Sequence, residues 1–341
     1  MGWCCPLVSG LFSRQGFFPV PPGSWYCYMR SVEARKDSLL LCLIGPTASG
    51  KSTLALRIAP DIRGEIVNCD SMQMVKELMI GTAKPTREEM SQVPHHLFDL
   101  VSLSETFSAG EYMVQARKTC SEISSRGSVP VVTGGTGLYL RALLQGMFQG
   151  PPRSGNIRER LQKIADRKGN VFLHRWLRVR DPDAAGRIKT GDRVRLIRAL
   201  EVVFSTGKPI TSLQGDELPI SGFRIVKIGL NPQRGLLYER INQRVIRMFD
   251  SGLLEETENL LRQGYDASCK GFEALGYRYA IQVLRGAMDE SVAIELTQRD
   301  SRRYAKRQMT WFRREPDVFW ISDTGDTDQA YKKAAELLQQ S

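Results

Sequence analysis

The octapeptide Gly45-Pro46-Thr47-Ala48-Ser49-Gly50-Lys51-Ser52 constrains this chain more than any other segment. It matches the phosphate-binding pattern GxxxxGK[ST] in full, and that pattern needs a strand before it and a helix after it. Leu39 to Ile44 is a continuous apolar run, the mark of a strand buried on both faces of a parallel sheet. Ser52 to Ile58 reads as the start of a helix. In such a loop the backbone N–H groups converge on phosphate oxygens and the helix N-terminus adds positive potential. Lys51 is expected to reach the terminal phosphate, and Ser52 to ligate Mg²⁺ through its hydroxyl.

Two more short apolar strands run into polar turns: Glu65 to Cys69 into Asp70, and Val129 to Val132 into Thr133-Gly134-Gly135-Thr136. Strands are also expected at Ile225 to Ile228 and at Val318 to Ile321, with amphipathic helices over Leu236 to Leu261, Tyr277 to Leu284 and Ile294 to Arg314. Strands alternating with helices give an α/β fold, here a P-loop NTPase-like parallel sheet flanked by helices, whose ligands gather at the carboxyl ends of the strands. Residues 151–223 open with Gly150-Pro151-Pro152 and continue as charged helical stretches, so they read as a helical insertion domain. The core is then 38–150 and 224–341. Residues 1–37 are expected to be a disordered or non-native leader, with Met29 as an alternative start.

Basic residues number 48 against 37 acidic ones, a net charge of +11 that favours a polyanionic partner. The seven cysteines form no CxxC pair and are odd in number, which argues for a reducing, cytoplasmic setting and against a disulfide framework or zinc site. No apolar run approaches the ~20 residues of a membrane span, and nothing signals an obligate protein partner.

A P-loop promises phosphate, not a reaction. ATPases and kinases add an acid on a later strand to hold the metal, but the strand from Val129 ends in Thr-Gly-Gly. The nearest acid at a strand end is Asp70. It could serve as general base, as metal ligand, or simply as the N-cap of a helix. His95 and His96 read as a structural hydrogen-bonding pair rather than a metal pair.

Several segments taken together resemble the tRNA dimethylallyltransferases of bacterial type. They are the P-loop, Asp70-Ser71-Met72-Gln73, Ile80 to Pro85, Pro94-His95-His96-Leu97, Phe107 to Tyr112 and Gly134 to Tyr139. Arg195 to Glu201, Leu275 to Arg278 and Lys306 to Arg313 follow in order, so the likeness runs from about residue 40 to 315. It implies transfer of a dimethylallyl group from dimethylallyl diphosphate to the N6 amino group of the adenosine 3′ of the anticodon in tRNA, with Mg²⁺ as cofactor. The loop residues Gly45, Pro46, Thr47, Ala48, Ser49, Gly50, Lys51 and Ser52 then cradle diphosphate rather than the tail of ATP. Asp70 resembles the family's general base, Thr136 matches a position beside the reacting base, and Arg244 matches an arginine on the diphosphate. Contact with the anticodon stem-loop is implied for Asp70, Ser71, Met72, Gln73, Thr136, Arg158, Arg195, Arg198, Lys306, Arg307 and Arg313. Met74-Val75 stands where the family usually has Val-Tyr, and the C-terminal zinc finger of eukaryotic relatives is absent. The rivals are a small-molecule kinase, an isopentenyltransferase acting on free AMP or ADP, and a non-enzymatic RNA-binding protein.

Overall fold

The computed structural model describes residues 37–148, 150–151, 153–215 and 218–340; the expected leader, apart from residue 37, lies outside them. Six strands form one sheet: β1 (Ser38–Ile44), β2 (Gly64–Asn68), β3 (His95–His96), β4 (Val129–Gly134), β5 (Phe223–Leu230) and β6 (Val318–Ile321). Their order is β3-β2-β4-β1-β5-β6 and every pairing is parallel. The expected strands are all present. β3 is an addition, a two-residue edge strand made from the His95-His96 pair.

Parallel pairing explains the sequence of β1. Alternate residues of a strand point to opposite faces, and β1 lies between β4 and β5 with both faces covered. Leu40, Cys42 and Ile44 join one core with Val67, Val132, Tyr112 and Phe312. Leu41 and Leu43 join the other with Leu54, Ile66, Val131 and Ile228. The chain passes from β1 to β2 across the position of β4 and later returns to β5 on the other side. The strand order therefore reverses beside the β1 and β4 carboxyl ends, where a parallel α/β sheet opens a crevice.

Helices α1 (Lys51–Ile58), α2 (Arg87–Gln92), α3 (Ala109–Ser125) and α4 (Gly137–Gln145) belong to the first half of the sheet. Helices α5 (Gly155–Lys168), α6 (Asn170–Arg180), α7 (Pro182–Arg187), α8 (Arg193–Thr206) and α9 (Ile210–Leu213) fill the segment between β4 and β5. There Leu161, Leu173, Leu177, Leu196 and Leu200 make a cluster of their own, within the single compact unit formed by residues 38–341.

After β5 the chain departs from expectation. The helix anticipated over Leu236 to Leu261 is two helices, α10 (Arg234–Asp250) and α11 (Leu253–Arg262). Gly252 breaks it by adopting φ 95°, a left-handed conformation that glycine reaches without steric cost. Helices α12 (Tyr277–Leu284), α13 (Glu290–Phe312) and α14 (Asp328–Gln340) complete the described chain. None of the described helices is long and apolar enough to cross a membrane.

Candidate active site

The ends of β1, β2 and β4 meet α10 and α13 around a cavity of about 1000 Å³. β1 contributes the P-loop, β2 contributes Asp70, and β4 contributes Thr133 to Thr136. From the opposite side α10 presents Arg240 and Arg244, and α13 presents Tyr304, Arg307 and Gln308.

The P-loop is braced on two sides. Gly325 N donates to Ser49 O at 2.9 Å. Arg240 Nε donates to Ala48 O at 3.0 Å while its Nη1 pairs with Asp326 at 3.0 Å. On the cavity side, Thr47 N donates to Gln308 Oε1 at 2.8 Å, and Gln308 Nε2 donates to Gly135 O at 3.0 Å. One buried amide thus ties the phosphate loop to the turn after β4. Lys51 and Arg244 share this end of the cavity. Burial pulls the Lys51 ammonium down to about 8, the Asp70 carboxylate opposing the fall and the Arg244 charge adding to it. Burial likewise lowers Arg244 from its ordinary value, and Asp70 again opposes. Arg244 Nη1 also donates to Thr47 Oγ1 at 3.2 Å.

Asp70 is held in one pose. The Asn68 side chain accepts from Asp70 N at 2.8 Å and donates to Asp70 O at 3.1 Å and Leu97 O at 2.9 Å. Asp70 Oδ1 accepts from Met72 N at 3.0 Å. This is an Asx turn, and the residues that follow form turns rather than a helix, which sets aside the helix-cap reading. Oδ2 lies toward the turn after β4, 3.3 Å from where a Cβ on Gly135 would stand. Thr136 stitches the two strand ends together. Its N donates to Cys69 O at 3.1 Å, its Oγ1 accepts from Ser71 N at 3.1 Å, and the same Oγ1 donates to Ser71 Oγ at 3.4 Å. The approach needs glycine at position 134, where a Cβ would fall 2.1 Å from the Cys69 carbonyl carbon.

Most of the expected residues converge here. Thr47, Ala48, Gly50, Lys51, Ser52, Asp70, Ser71, Met72, Gln73, Thr136, Arg244 and Arg307 line the cavity. Gly45, Pro46 and Ser49 are not on its wall; Ser49 is fully buried and its hydroxyl has no hydrogen-bond partner. Gln73 is a cavity residue in a turn, not a surface helix residue.

Arg158, Arg195, Arg198, Lys306 and Arg313 lie off the cavity wall. Arg158 and Arg198 both pair with the fully buried Glu201, at 3.2 and 2.8 Å, and Arg198 also donates to Pro151 O at 3.0 Å. Arg195 pairs with Asp192 at 3.0 Å and is mostly exposed. Lys306, Arg307 and Arg313 are exposed. His96 pairs with Glu65 at 2.7 Å and His95 with Val93 O at 2.7 Å, which gives both histidines structural hydrogen bonds.

Gln308, Arg240 and Asp326 carry no signal in the sequence that marks them as site residues, whereas Tyr304, an aromatic among the basic residues of its helix, could be expected to stack on a base or pack on the core. Gln308 sits inside the Lys306 to Arg313 run, but its role shows only once α13 carries it to Thr47, 261 residues away. Burial raises the Tyr304 phenol above its ordinary value, and Asp70 adds to the rise. An anion cradle with two half-buried cations, facing a carboxylate fixed in a turn, suits group transfer from a phosphorylated donor to a nucleophile that loses a proton.

The IPP transferase profile matches residues 73–315 of the chain. A tRNA dimethylallyltransferase of Koribacter versatilis is 48% identical over 307 residues, covering 89% of this chain and 99% of the relative. One from Solibacter usitatus is 45% identical, covering 88% and 97%. Among solved structures, the tRNA isopentenylpyrophosphate transferase of Bacillus halodurans is 37% identical with a TM-score of 0.64, covering 89% of this chain and 98% of its own. A eukaryotic dimethylallyltransferase described as acting on tRNA shares the fold at 24% identity and a TM-score of 0.74, covering 87% and 77%.

Proposed function

This chain belongs to the IPP transferase family, and from that premise we propose that it transfers a dimethylallyl group from dimethylallyl diphosphate to the N6 amino nitrogen of the adenosine 3′ of the anticodon in tRNA. The observation that carries the reading is the shared wall of one cavity. Lys51, Arg244, Asp70 and Thr136 all line it; in this reading Lys51, Arg244 and the P-loop take the diphosphate, and Asp70 with Thr136 takes the base.

In this reaction the N6 lone pair forms a bond to the allylic carbon. The bond from that carbon to the diphosphate oxygen breaks, and its electron pair leaves with diphosphate. Asp70 takes the proton released by nitrogen. Negative charge grows on the departing oxygen, and Lys51, Arg244 and the loop would stabilise it there. Gln308 keeps the two sides in register, because it bonds to Thr47 in the loop and to Gly135 beside Thr136. The base must leave its stack to reach the cavity, where Ser71, Met72 and Gln73 would receive it. Exposed Arg195, Lys306, Arg307 and Arg313 would grip the RNA backbone.

Mg²⁺ fits the residues present. The hydroxyls of Ser52 and Thr133 are hard oxygen donors on the cavity wall, and Thr133 Oγ1 is buried without a hydrogen-bond partner. Such ions keep several waters and are shared with substrate phosphates. Ser52 would be the main protein ligand, and the ion would neutralise charge on the diphosphate. In this reading a tRNA substrate assigns the chain to the cytoplasm.

The test is incubation with labelled dimethylallyl diphosphate, Mg²⁺, and either unmodified tRNA or AMP. Label is expected in tRNA and not in AMP. Transfer to AMP alone, or ATP turnover without prenyl transfer, overturns the reading.

A further inference from the structure

The loop from Met79 to Ala83 touches both sides of the cavity, and its backbone is held from outside by two residues that do not line it. Glu256, on α11, accepts from Ile80 N at 3.1 Å and from Met79 N at 3.4 Å. Tyr277, fully buried at the start of α12, donates to Glu256 Oε1 at 2.5 Å and accepts from Gly81 N at 3.1 Å. The fit is tight, since a Cβ on Gly81 would lie 2.3 Å from the Tyr277 ring.

On its other side the loop spends its carbonyls on the cavity residues. Gln73 Nε2 donates to Thr82 O at 3.2 Å and to Ala83 O at 2.9 Å. Arg244 Nη2 donates to Thr82 O at 3.5 Å. Ala83 takes φ 49°, a left-handed conformation unusual for a residue with a side chain. Both partners of the Gln73 amide are carbonyls, so its orientation is not interchangeable. An amide nitrogen has two hydrogens, and both are used. Gln73 is thereby left with Oε1, an acceptor only, to offer a ligand.

We infer that Glu256 and Tyr277 are positioning residues for the transfer reaction. Through the backbone of residues 79–83 they aim Gln73 as a pure acceptor toward an N–H of the nucleobase and hold Arg244 over the diphosphate. This inference rests on the function proposed above. Glu256 suits the task because a carboxylate only accepts, and it meets three donors. A glutamine there would turn an NH₂ group toward one of them.

The experiment is a set of double-mutant cycles in the full-length chain. Glu256→Gln is expected to lower kcat/KM for tRNA about tenfold alone, and by less than about twofold when Gln73→Ala is already present. The same change should weaken binding of inorganic diphosphate, measured by calorimetry, about threefold alone and negligibly beside Arg244→Ala. Tyr277→Phe should reproduce both patterns. If Glu256→Gln costs the same factor in every background, or costs nothing alone, the inference is overturned and the pair merely supports the fold. If the wild-type chain prenylates no tRNA, the functional reading fails by itself. The diphosphate cycle still decides whether Glu256 acts through Arg244.

Discussion

Lys51 gives the sharpest pH prediction. Its ammonium is half-buried beside Arg244, and burial, only partly offset by Asp70, brings it from an ordinary 10.5 down to about 8. The pH dependence of kcat/KM reports groups of the free enzyme. If the protonated ammonium is what holds the leaving diphosphate, kcat/KM for dimethylallyl diphosphate should be level near pH 7 and fall through pH 8. At pH 9 about one molecule in eleven keeps the proton, a loss of about tenfold, where an ordinary lysine would lose about 3%. Bound diphosphate adds negative charge and raises the pKa, so the alkaline limb of kcat should lie above that of kcat/KM. Stability should move oppositely. The unfolded chain binds the Lys51 proton more tightly, so this group makes the free protein more stable as pH rises from about 8 towards 10.5. Lys51→Arg keeps its charge throughout and should flatten the limb at a reduced rate. The assay is initial-rate kinetics from pH 6.5 to 9.5, with tRNA held well below saturation for kcat/KM so that the free enzyme is the species titrated. A wild-type kcat/KM that stays level through pH 9.5, or a limb at pH 8 that survives Lys51→Arg, refutes the reasoning.

Gln308→Ala should raise the donor KM and lower kcat together, by about tenfold in kcat/KM, because Thr47 N and Gly135 O both lose their partner. Gln308→Glu keeps the acceptor for Thr47 but sets an oxygen against the Gly135 carbonyl, so steady-state kinetics should find it no better than alanine; a wild-type rate would show that this bridge does nothing. Arg198→Ala should lower the thermal midpoint, since it strips one partner from the fully buried Glu201 at a cost of about 1–3 kcal/mol. Lys306→Ala, on the exposed side of α13, should leave the midpoint alone and reduce the salt slope of tRNA binding by about 1. Reversed behaviour of these two variants in calorimetry and salt titration would exchange their roles.

The parts of this fold that were legible in sequence are those whose cause is local. β1, β2 and β4 declare themselves as short apolar runs, and each ends in a motif that contributes residues to the cavity wall. β3 was not legible because two residues carry no periodicity, and His95-His96 becomes a strand only by pairing with Ile66 and Val67. The break at Gly252 was hidden inside a continuous amphipathic pattern, because a lone glycine is tolerated in many helices. At the site, Lys51, Asp70 and Thr136 follow strand ends, where the ligands of a parallel sheet gather, so the sequence points to them. Gln308, Arg240 and Glu256 act through partners far along the chain, and no spacing rule links them. Arg158 and Arg198 show the converse. The family resemblance implied contact with RNA for both, and the fold also pairs each with one buried carboxylate, Glu201, a partnership that only tertiary structure reveals.

The union of diphosphate cradle and general base in one cavity is tested most directly by Asp70→Asn under single-turnover conditions. Asparagine keeps the acceptor for Met72 N and removes only the basic oxygen. Asp70 also raises the Lys51 pKa, so the measurement belongs at the acid end of the range, at pH 6.5, where loss of the Lys51 charge contributes least. Transfer of the dimethylallyl group to tRNA should fall by about 10²–10⁴-fold, while the Kd values for tRNA and for dimethylallyl diphosphate stay within about twofold of wild type. Transfer within tenfold of wild type, or a loss of tRNA binding that matches the loss of rate, would contradict it.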